Sequence, residues 1–242
     1  MTQTNPAEPA GTGNPKGAAA ATPLVTFDLI RKNPRVRTFI AKSDEALALI
    51  GYTEHGERHV RIVAKGARTI LEKLGHPARA CELAAIAGYM HDIGNAVNRN
   101  LHAQTGAVIA LRILDEYKMS DDEITTVIGA IGNHHETDGW AVSEVAAALI
   151  LADKSDVHRS RVRNADTLTF DIHDRVNYSV ERSFLDVDPV AKAITLNLTV
   201  DTKISDMMEY FEIFMTRMLA SVKAAKFLGT SFGLIVNETR LF

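Results

Sequence analysis

Five of the nine histidines and two of the aspartates of this 242-residue chain, spread from position 59 to position 153, have the types and spacing of metal ligands. Neutral imidazole and ionised carboxylate are the ligands that iron, manganese and zinc take where no thiolate is offered. Seven such groups exceed the needs of one ion, and a carboxylate beside a ligand histidine can hold two ions with its two oxygens. We therefore predict a two-metal site made of His59, His91, Asp92, His102, His134, His135 and Asp153.

Each of these residues also has an ordinary structural interpretation. A His-Asp pair such as His91-Asp92 at a helix end is usually a capping or solvated pair, but the apolar run before it predicts burial, and a buried carboxylate is costly unless a cation compensates it. The pair His134-His135 is also favourable at the negative end of a helix dipole. Asp153 follows seven apolar residues, which favours a buried ligand over an exposed side chain.

A series of helices is predicted to position these residues, because the hydrophobic period is helical from Glu57 to Lys154. Gly75 is predicted to end the first of them, Pro77 to begin the second, and Ser120 and Ser143 to cap two later ones. Earlier in the chain, Ser43 is predicted as the N-cap of a short helix that stops at Gly51.

The chain divides into three parts by composition. Residues 1–22 are rich in Pro, Gly and Ala, which predicts a disordered tail because little apolar surface is available to bury. Residues 23–163 form the predicted helical domain. Residues 164–242 are predicted to form a small ββαβ subdomain, with strands at Arg175–Leu185, Lys192–Val200 and Ser231–Val236 and a helix at Ser205–Gly229. Packing explains most of the wide apolar stripe on that helix, and a homodimer interface would explain the rest.

Composition excludes several other classes of protein. The 46% apolar and 24% charged content is ordinary for a globular protein, and the formal charge of -3 predicts no nucleic-acid partner. No apolar run approaches the roughly 18 residues of a membrane span, so no membrane association is expected. The single cysteine, Cys81, lies in an apolar helical pattern and is predicted to be buried. Because one cysteine cannot form an internal disulfide, a cytoplasmic location is expected.

The spacing of these motifs resembles the HD-domain superfamily of metal-dependent phosphohydrolases, and in particular its two-metal, HD-GYP-like branch. The resemblance rests on His59-Val-Arg-Ile-Val-Ala64, His91-Asp-Ile-Gly94, His102-Ala-Gln-Thr-Gly106, His134-His-Glu136 with Asp138-Gly139, and Asp153-Lys-Ser-Asp156. It implies a mainly α fold, an HD-domain helical bundle, to which the C-terminal α+β subdomain is attached. It also implies two divalent transition-metal ions, of which iron or manganese is our first expectation.

The same resemblance implies which ligands would hold which ion. His59, His91 and Asp153 would hold one ion, His102, His134 and His135 the other, and Asp92 would bridge them. Asp92 and Lys154 are the predicted catalytic residues. Because arginine forks suit phosphate oxygens, we predict substrate binding by the basic run after Asp153 together with two polar residues near the ligands, namely Arg159, Arg161, Arg163, His55 and Asn95.

The chain also departs from the HD-GYP pattern. The Gly-Tyr-Pro triplet is absent, since Gly139 is followed by Trp140-Ala-Val142, and Asn95 stands where the family often has lysine. Some relatives carry an acidic ligand for a third ion where this chain has His55. These departures leave both the specificity for a cyclic dinucleotide and a third metal open.

The function predicted from the sequence is hydrolysis of a small phosphoester, nucleotide or cyclic-nucleotide-like, by a hydroxide that bridges the two ions. Two alternatives stay open. Some HD-fold proteins similar to myo-inositol oxygenase use nearly the same ligands for O₂ chemistry at two irons, although the basic run after Asp153 favours a phosphate. A regulatory binding module without activity is the other alternative, against which the complete set of ligands argues.

Overall fold

A computed structural model gives the structure of residues 24–242, except for the side chain of Leu168. The predicted tail, residues 1–22, lies outside the described residues. Nine α-helices are present in the described part: α1 (Phe27–Lys32), α2 (Pro34–Leu49), α3 (Glu57–Lys73), α4 (Ala78–Met90), α5 (His102–Glu116), α6 (Asp121–Gly132), α7 (Glu144–Lys154), α8 (Ile172–Ser179) and α9 (Met207–Phe227). Short 3₁₀ helices cover Ile93–Ala96, Arg159–Arg161 and Thr167–Thr169.

Local sequence signals set most of the helix ends in the metal-ligand region. The side chain of Ser120 accepts a hydrogen bond from the backbone N–H of Glu123 at the start of α6, and Ser143 accepts one from Ala146 at the start of α7. Each bond satisfies a donor that the first helical turn leaves unpaired. The backbone of Gly75 adopts φ +79° just after α3. These predicted boundaries are therefore confirmed.

The prediction that Ser43 caps a helix is wrong. Ser43 lies inside α2, where it is buried and its hydroxyl donates to the backbone oxygen of Ile93. The helix instead begins after Asn33, whose side chain accepts from the N–H groups of Arg35 and Val36, with Pro34 as its first residue. A Ser-Asp-Glu sequence is favourable at a helix start, but here the stronger Asn-Pro signal comes nine residues earlier.

The C-terminal region contains a four-stranded sheet in the order β1 (Val180–Asp188), β2 (Ala193–Val200), β3 (Ser231–Val236) and β4 (Thr239–Arg240). β1 pairs with β2 antiparallel, β2 with β3 parallel, and β3 with β4 antiparallel. Helix α9 makes the connection that a parallel pair requires. The predicted ββαβ order is thus present, and the short β4 is added to it.

The first predicted strand starts too early. Residues Arg175 to Ser179 belong to α8, which Asp171 caps by accepting from the backbone N–H of Asp174. The β-branched and aromatic residues of this segment favoured a strand, but the cap and the packing of α8 against α9 determine its conformation. This correction moves the side chain of Asn177 onto a helix.

Two hydrophobic clusters form the core, and α9 joins them. The larger cluster lies between α1 to α7 and includes Ala224 and Ala225 near the end of α9. The smaller one packs the sheet against α8 and the first half of α9, with Tyr210, Phe214 and Met218 fully buried. The C-terminal subdomain is therefore packed on the helical domain through shared buried side chains.

Within the described residues, no helix combines the length and the apolar character that crossing a lipid bilayer requires.

Candidate metal centre

The predicted ligands come from the ends of five helices that meet at one point. His59 lies in the first turn of α3, His102 begins α5, and Asp153 lies in the last turn of α7. His91-Asp92 directly follows α4, and His134-His135 lies just beyond α6. Of the seven, His59, His91, Asp92, His102 and His134 are fully buried. The structure thus brings side chains that are up to 94 positions apart in sequence to one buried cluster.

A glycine allows the chain after His91-Asp92 to approach α5. A Cβ atom on Gly94 would lie 2.0 Å from the backbone oxygen of His102 and 2.5 Å from the backbone nitrogen of Gly106. No ordinary side chain fits at those distances. The glycine of the His-Asp-Ile-Gly sequence is therefore required for His102 to reach Asp92.

Replacing Gly94 by alanine is expected to lower the free energy of unfolding by about 1–3 kcal/mol or more, because the new methyl group must displace backbone. The matched control is Gly129→Ala in α6, where the nearest heavy atom would be 4.0 Å away. That change should raise stability by about 0.5–1 kcal/mol, the usual gain from glycine to alanine inside a helix. Urea unfolding followed by circular dichroism measures both. Equal effects in the two variants would contradict the assigned role of Gly94.

One group of ligand atoms surrounds the Nε2 atom of His91. The Nε2 atom of His59 lies 3.3 Å from it, and Asp92 Oδ2 also lies 3.3 Å from it. Asp153 Oδ1 is 3.3 Å from His59 Nε2 and 3.7 Å from His91 Nε2. Ligands about 2.1 Å from one metal ion lie about 3.0–3.4 Å apart in octahedral or tetrahedral arrangement. The spacing of this group matches that of the ligands of a single ion.

A second group surrounds the other oxygen of Asp92. Asp92 Oδ1 lies 3.5 Å from His102 Nε2 and 3.8 Å from His134 Nε2, and these two nitrogens are 3.2 Å apart. The ring of His135 is close by, with its centroid 5.1 Å from that of His102. The two oxygens of Asp92 therefore face two different sets of histidines.

Hydrogen bonds fix which nitrogen of each buried histidine faces the centre. The Nδ1–H group of His91 donates to the backbone oxygen of Gly88, that of His102 to Arg99, and that of His134 to Ile131, over 2.6–2.9 Å. His59 Nδ1 donates to Asp156 Oδ2 over 2.7 Å. Because each of these oxygens accepts, Nδ1 carries a proton, and in the neutral ring the lone pair is on Nε2. The histidines are thus held in the form that binds metal.

The contacts between these lone pairs test whether metal ions fit here. His59 Nε2 and His91 Nε2 face each other at 3.3 Å, and those of His102 and His134 face each other at 3.2 Å. In the second pair neither ring has a proton to donate, because burial keeps both rings neutral. Such facing lone pairs repel unless a cation lies between them. Buried imidazole and carboxylate without thiolate suit divalent transition metals, so the residues present fit the ions that the sequence predicts.

The pKa shifts of two histidines and two carboxylates agree with a set of metal ligands. At His59, burial lowers the pKa, but hydrogen bonds to Asp153 and Asp156 raise it above its usual value. Burial lowers the pKa of His102 to about 3 and also lowers that of His134, so both rings are neutral at pH 7. Burial alone would raise the pKa of Asp92 and of Asp153. The contacts of Asp92 with His91 and His134 outweigh burial at Asp92, and the charge of Lys154 outweighs it at Asp153, so that both pKa values are well below the usual range. Metal sites need neutral histidine and ionised carboxylate.

Comparison with known proteins agrees with this geometry. The HD domain family model matches residues 56–171, the segment that holds all seven predicted ligands. An uncharacterized protein of Methanocaldococcus jannaschii is 31% identical over 183 residues, which is 66% of this chain and 70% of the relative. This chain belongs to the HD domain family.

A solved structure is also similar to part of the chain. It is a crystal structure described as a predicted HD superfamily hydrolase from an uncultured Thermotogales bacterium. It is 24% identical, covers 54% of this chain and 73% of that chain, and has a TM-score of 0.41. The family predicted from the motifs is confirmed by the family match, and membership of the HD-GYP-like branch stays a prediction.

A buried carboxylate of the HD domain, that of Asp156, orients the ring of His59. From the sequence, Asp156 was recognised only as part of a motif. Asp156 accepts a hydrogen bond from His59 Nδ1 over 2.7 Å. It also accepts one from each terminal nitrogen of Arg58, both over 3.0 Å. The backbone oxygen of Asp156 accepts from buried Arg161, whose charge outweighs burial and keeps the pKa of the Asp156 carboxyl far below its usual range. A charged carboxylate behind a ligand histidine orients the ring and increases its basicity.

A chain of alternating charges leads from the metal centre to the C-terminal helix. Buried Lys154 lies 2.6 Å from Asp153 Oδ2 and 2.6 Å from Glu136 Oε2, and Arg217 Nε lies 3.6 Å from Glu136 Oε1. We call these four residues the ion-pair chain. Glu136 and Arg217 were not predicted as site residues. Arg217 is on α9, outside the HD domain match, and only the packing of α9 on α7 brings it to the site.

A pocket opens above the metal ligands, and the predicted residues differ in whether they reach it. This metal-site pocket is lined by Asp92 and Asp153 and by six other predicted residues, His55, His102, His134, His135, Lys154 and Arg161. Three residues that were not predicted also line the pocket, namely Arg99, Glu136 and Arg217. Asn95 lies below, where its amide donates to Asp92 Oδ1 over 2.9 Å and so orients that carboxylate.

Two predicted substrate-binding arginines are held away from this pocket. Arg159 pairs with Glu181 at 3.0 Å and stacks on the ring of Tyr178. Arg163 pairs with Asp44 and donates to the backbone oxygen of Tyr52. The backbone leaves α7 after Lys154 and carries both side chains to the surface of the HD domain. Their role in substrate binding finds no support in this arrangement.

Proposed function

We propose that this HD domain protein is a phosphohydrolase that uses two divalent metal ions to hydrolyse a phosphoester of the nucleotide or cyclic-nucleotide type. The observation that carries the proposal is the placement of Asp92. Its Oδ2 atom faces His91 at 3.3 Å, while its Oδ1 atom faces His102 at 3.5 Å. A carboxylate shared in this way holds two ions at the short separation used by two-metal phosphatases and nucleases.

The charges around the metal-site pocket favour an anionic substrate. Four cationic side chains line it, from Arg99, Lys154, Arg161 and Arg217, and its carboxylates are Asp92, Asp153 and Glu136. Two of those three carboxylates are proposed metal ligands. With the ions added, the pocket has a large excess of positive charge, as phosphoryl oxygens require.

Each residue of the proposed site has a definite task. Bound divalent ions would supply the charge that lowers the pKa of water and offsets the charge on the phosphoryl oxygens. Lys154 binds Asp153 Oδ2 and so directs Oδ1 toward His59 and His91. Asn95 holds Asp92 from below. Arg99 lies at the pocket wall, where its guanidinium is 3.3 Å from His102 Nε2 and 5.1 Å above the Tyr52 ring. A guanidinium in that position can bind a phosphoryl oxygen.

The experiment that tests the proposal measures metal content and phosphoester hydrolysis on the same preparation. Protein prepared anaerobically with excess Fe(II) or Mn(II) is expected to contain two ions per chain and to release phosphate or nucleotide from one class of phosphoester. His76→Ala is the control, because His76 lies between α3 and α4, outside the ligand cluster, and should leave metal content and rate unchanged. One ion or none would contradict the two-metal assignment. O₂ consumption by the reduced iron form without phosphoester hydrolysis would support an oxygenase instead.

A further inference from the structure

One face of α9 is apolar and exposed to solvent. The buried side of the helix packs on α7 and on the sheet. The side next to it presents apolar residues at intervals of three and four positions, of which Phe211 is half-buried and the other four are 40–75% exposed, namely Met208, Met215, Leu219 and Val222. We call these five residues the α9 stripe. At a rise of 1.5 Å per residue the α9 stripe is about 21 Å long.

An exposed aromatic side chain extends this apolar surface. Trp140, in the loop between α6 and α7, is 62% exposed. It lies beside α9, because the Nζ atom of Lys223, one turn after Leu219, is 4.7 Å from the centre of the Trp140 ring. Scattered apolar residues are normal on a protein surface, but a contiguous apolar patch is typical of an interaction site.

The α9 stripe faces away from the metal centre. Arg217, which lines the metal-site pocket, is two positions from both Met215 and Leu219. Two positions correspond to a rotation of about 200° around the axis of a helix. A partner bound to the α9 stripe would therefore leave the metal-site pocket open, so this surface serves an interaction other than substrate binding.

The charges along one edge of the α9 stripe are complementary to those of a second copy. Glu212 and Lys223 are exposed and 11 residues apart, which places them about three turns apart on the same side of α9. In an antiparallel pair with two-fold symmetry, equal edges meet. When Met215 lies against the partner's Leu219, Glu212 lies beside the partner's Lys223, and the reverse contact follows from the symmetry. A parallel pair would instead place like charges side by side.

We propose that the α9 stripe is the interface of a homodimer in which the α9 helices of two copies pack antiparallel, with Glu212 of each copy next to the partner's Lys223. An interface of this kind uses the same patch on both subunits. The apolar residues form its centre, and the charged residues at the rim determine the direction of the helices. The occupant of the stripe is a second copy because the chain itself supplies both the apolar face and the opposite charges.

The oligomeric state of the full chain tests the proposal. In sedimentation velocity experiments over a range of concentrations, the parent protein should have twice the mass of one chain. Met215→Glu places a charge twice at the centre of the symmetric interface and should raise the dissociation constant of the dimer at least about 100-fold. The control is Val108→Glu on α5, where the side chain is also exposed; its dissociation constant should stay close to that of the parent. A parent protein that is monomeric at its highest soluble concentration, or an unchanged constant in Met215→Glu, would overturn the proposal.

The direction of the two helices is tested by exchanging the charges. Glu212→Lys and Lys223→Glu each place like charges opposite one another at both ends of the interface, and each should raise the dissociation constant about tenfold at low salt. The double variant restores opposite charges and should bring the constant back to about the parent value. Losses that simply add in the double variant would overturn the antiparallel arrangement.

The dimer can be tested separately from the proposed hydrolase activity. Metal content and phosphoester hydrolysis should be unchanged in Met215→Glu, because Met215 lies on the side of α9 opposite Arg217. If no phosphoester is hydrolysed but Met215→Glu dissociates the dimer, the interface is supported and the hydrolase assignment fails. A monomeric parent protein that binds phosphatidylglycerol vesicles, with that binding lost in Met215→Glu, would overturn the homodimer in favour of a lipid surface.

Discussion

Asp92→Ala is expected to remove both metal ions from the protein together, whereas His102→Ala should mainly empty one site. The asymmetry follows from the two carboxylate oxygens, of which Oδ2 faces His91 and Oδ1 faces His102. Without Asp92, each group loses an anionic ligand, and hydrolysis should stop. Without His102, the group of His59, His91 and Asp153 stays complete.

Elemental analysis of both variants, prepared anaerobically with excess metal, measures this difference. Circular dichroism of the same samples shows whether the helices are retained, and His76→Ala again controls for the loss of a histidine outside the cluster. Partial and equal metal loss in Asp92→Ala and His102→Ala would contradict a bridging role for Asp92.

Asp156→Ala is expected to lower the free energy of unfolding by about 3–5 kcal/mol, the usual effect of removing one partner from a buried ion pair. Arg161 is 2% exposed and would lose a compensating charge, and His59 would lose the acceptor of its Nδ1–H group. The affinity of the His59 group for metal should also fall about 10- to 100-fold, because the orienting carboxylate is gone.

Urea unfolding of the metal-free protein isolates the first effect, and metal titration measures the second. The matched control is Glu181→Ala, which removes the pair between Glu181 and Arg159 with side chains 48% and 37% exposed. An exposed pair of this kind contributes about 0–1 kcal/mol. Asp156→Asn keeps an acceptor for His59 without the charge. Its loss of stability should therefore lie between those of Asp156→Ala and Glu181→Ala. A loss below about 1 kcal/mol in Asp156→Ala would show that other groups compensate Arg161.

The ligand cluster could be predicted from the sequence because its chemistry depends on residue type and local context. Histidine and aspartate at helix ends, such as His91-Asp92 after an apolar run, have few other reasons to occur together. The helices that hold them follow local rules, as the caps at Ser120 and Ser143 show. The ligands meet because they lie at the ends of these helices. Their meeting could therefore be predicted without information on the C-terminal subdomain.

Some residues that line the metal-site pocket could not be predicted in this way. Arg217 reaches the pocket because α9 packs on α7, and α9 also connects the parallel strands β2 and β3. Neither contact leaves a local signal in the sequence. Arg159 and Arg163 looked suitable by their nearness in sequence to Asp153, but the chain turns at Ser155 and directs them elsewhere.

The ion-pair chain also has a consequence for how the two parts of the molecule are held together. Helix α9 is attached to the metal centre through Arg217, Glu136, Lys154 and Asp153, and through Ala224 and Ala225 in the larger core. An anion that binds Arg217 would therefore favour the docked position of α9, and by mass action it would raise the melting temperature of the whole chain. Conversely, a fragment that ends at residue 171 would expose the buried face of α7 and leave Glu136 and Lys154 without their outer cation. Ligand recognition and the cohesion of the fold thus depend on the same contacts.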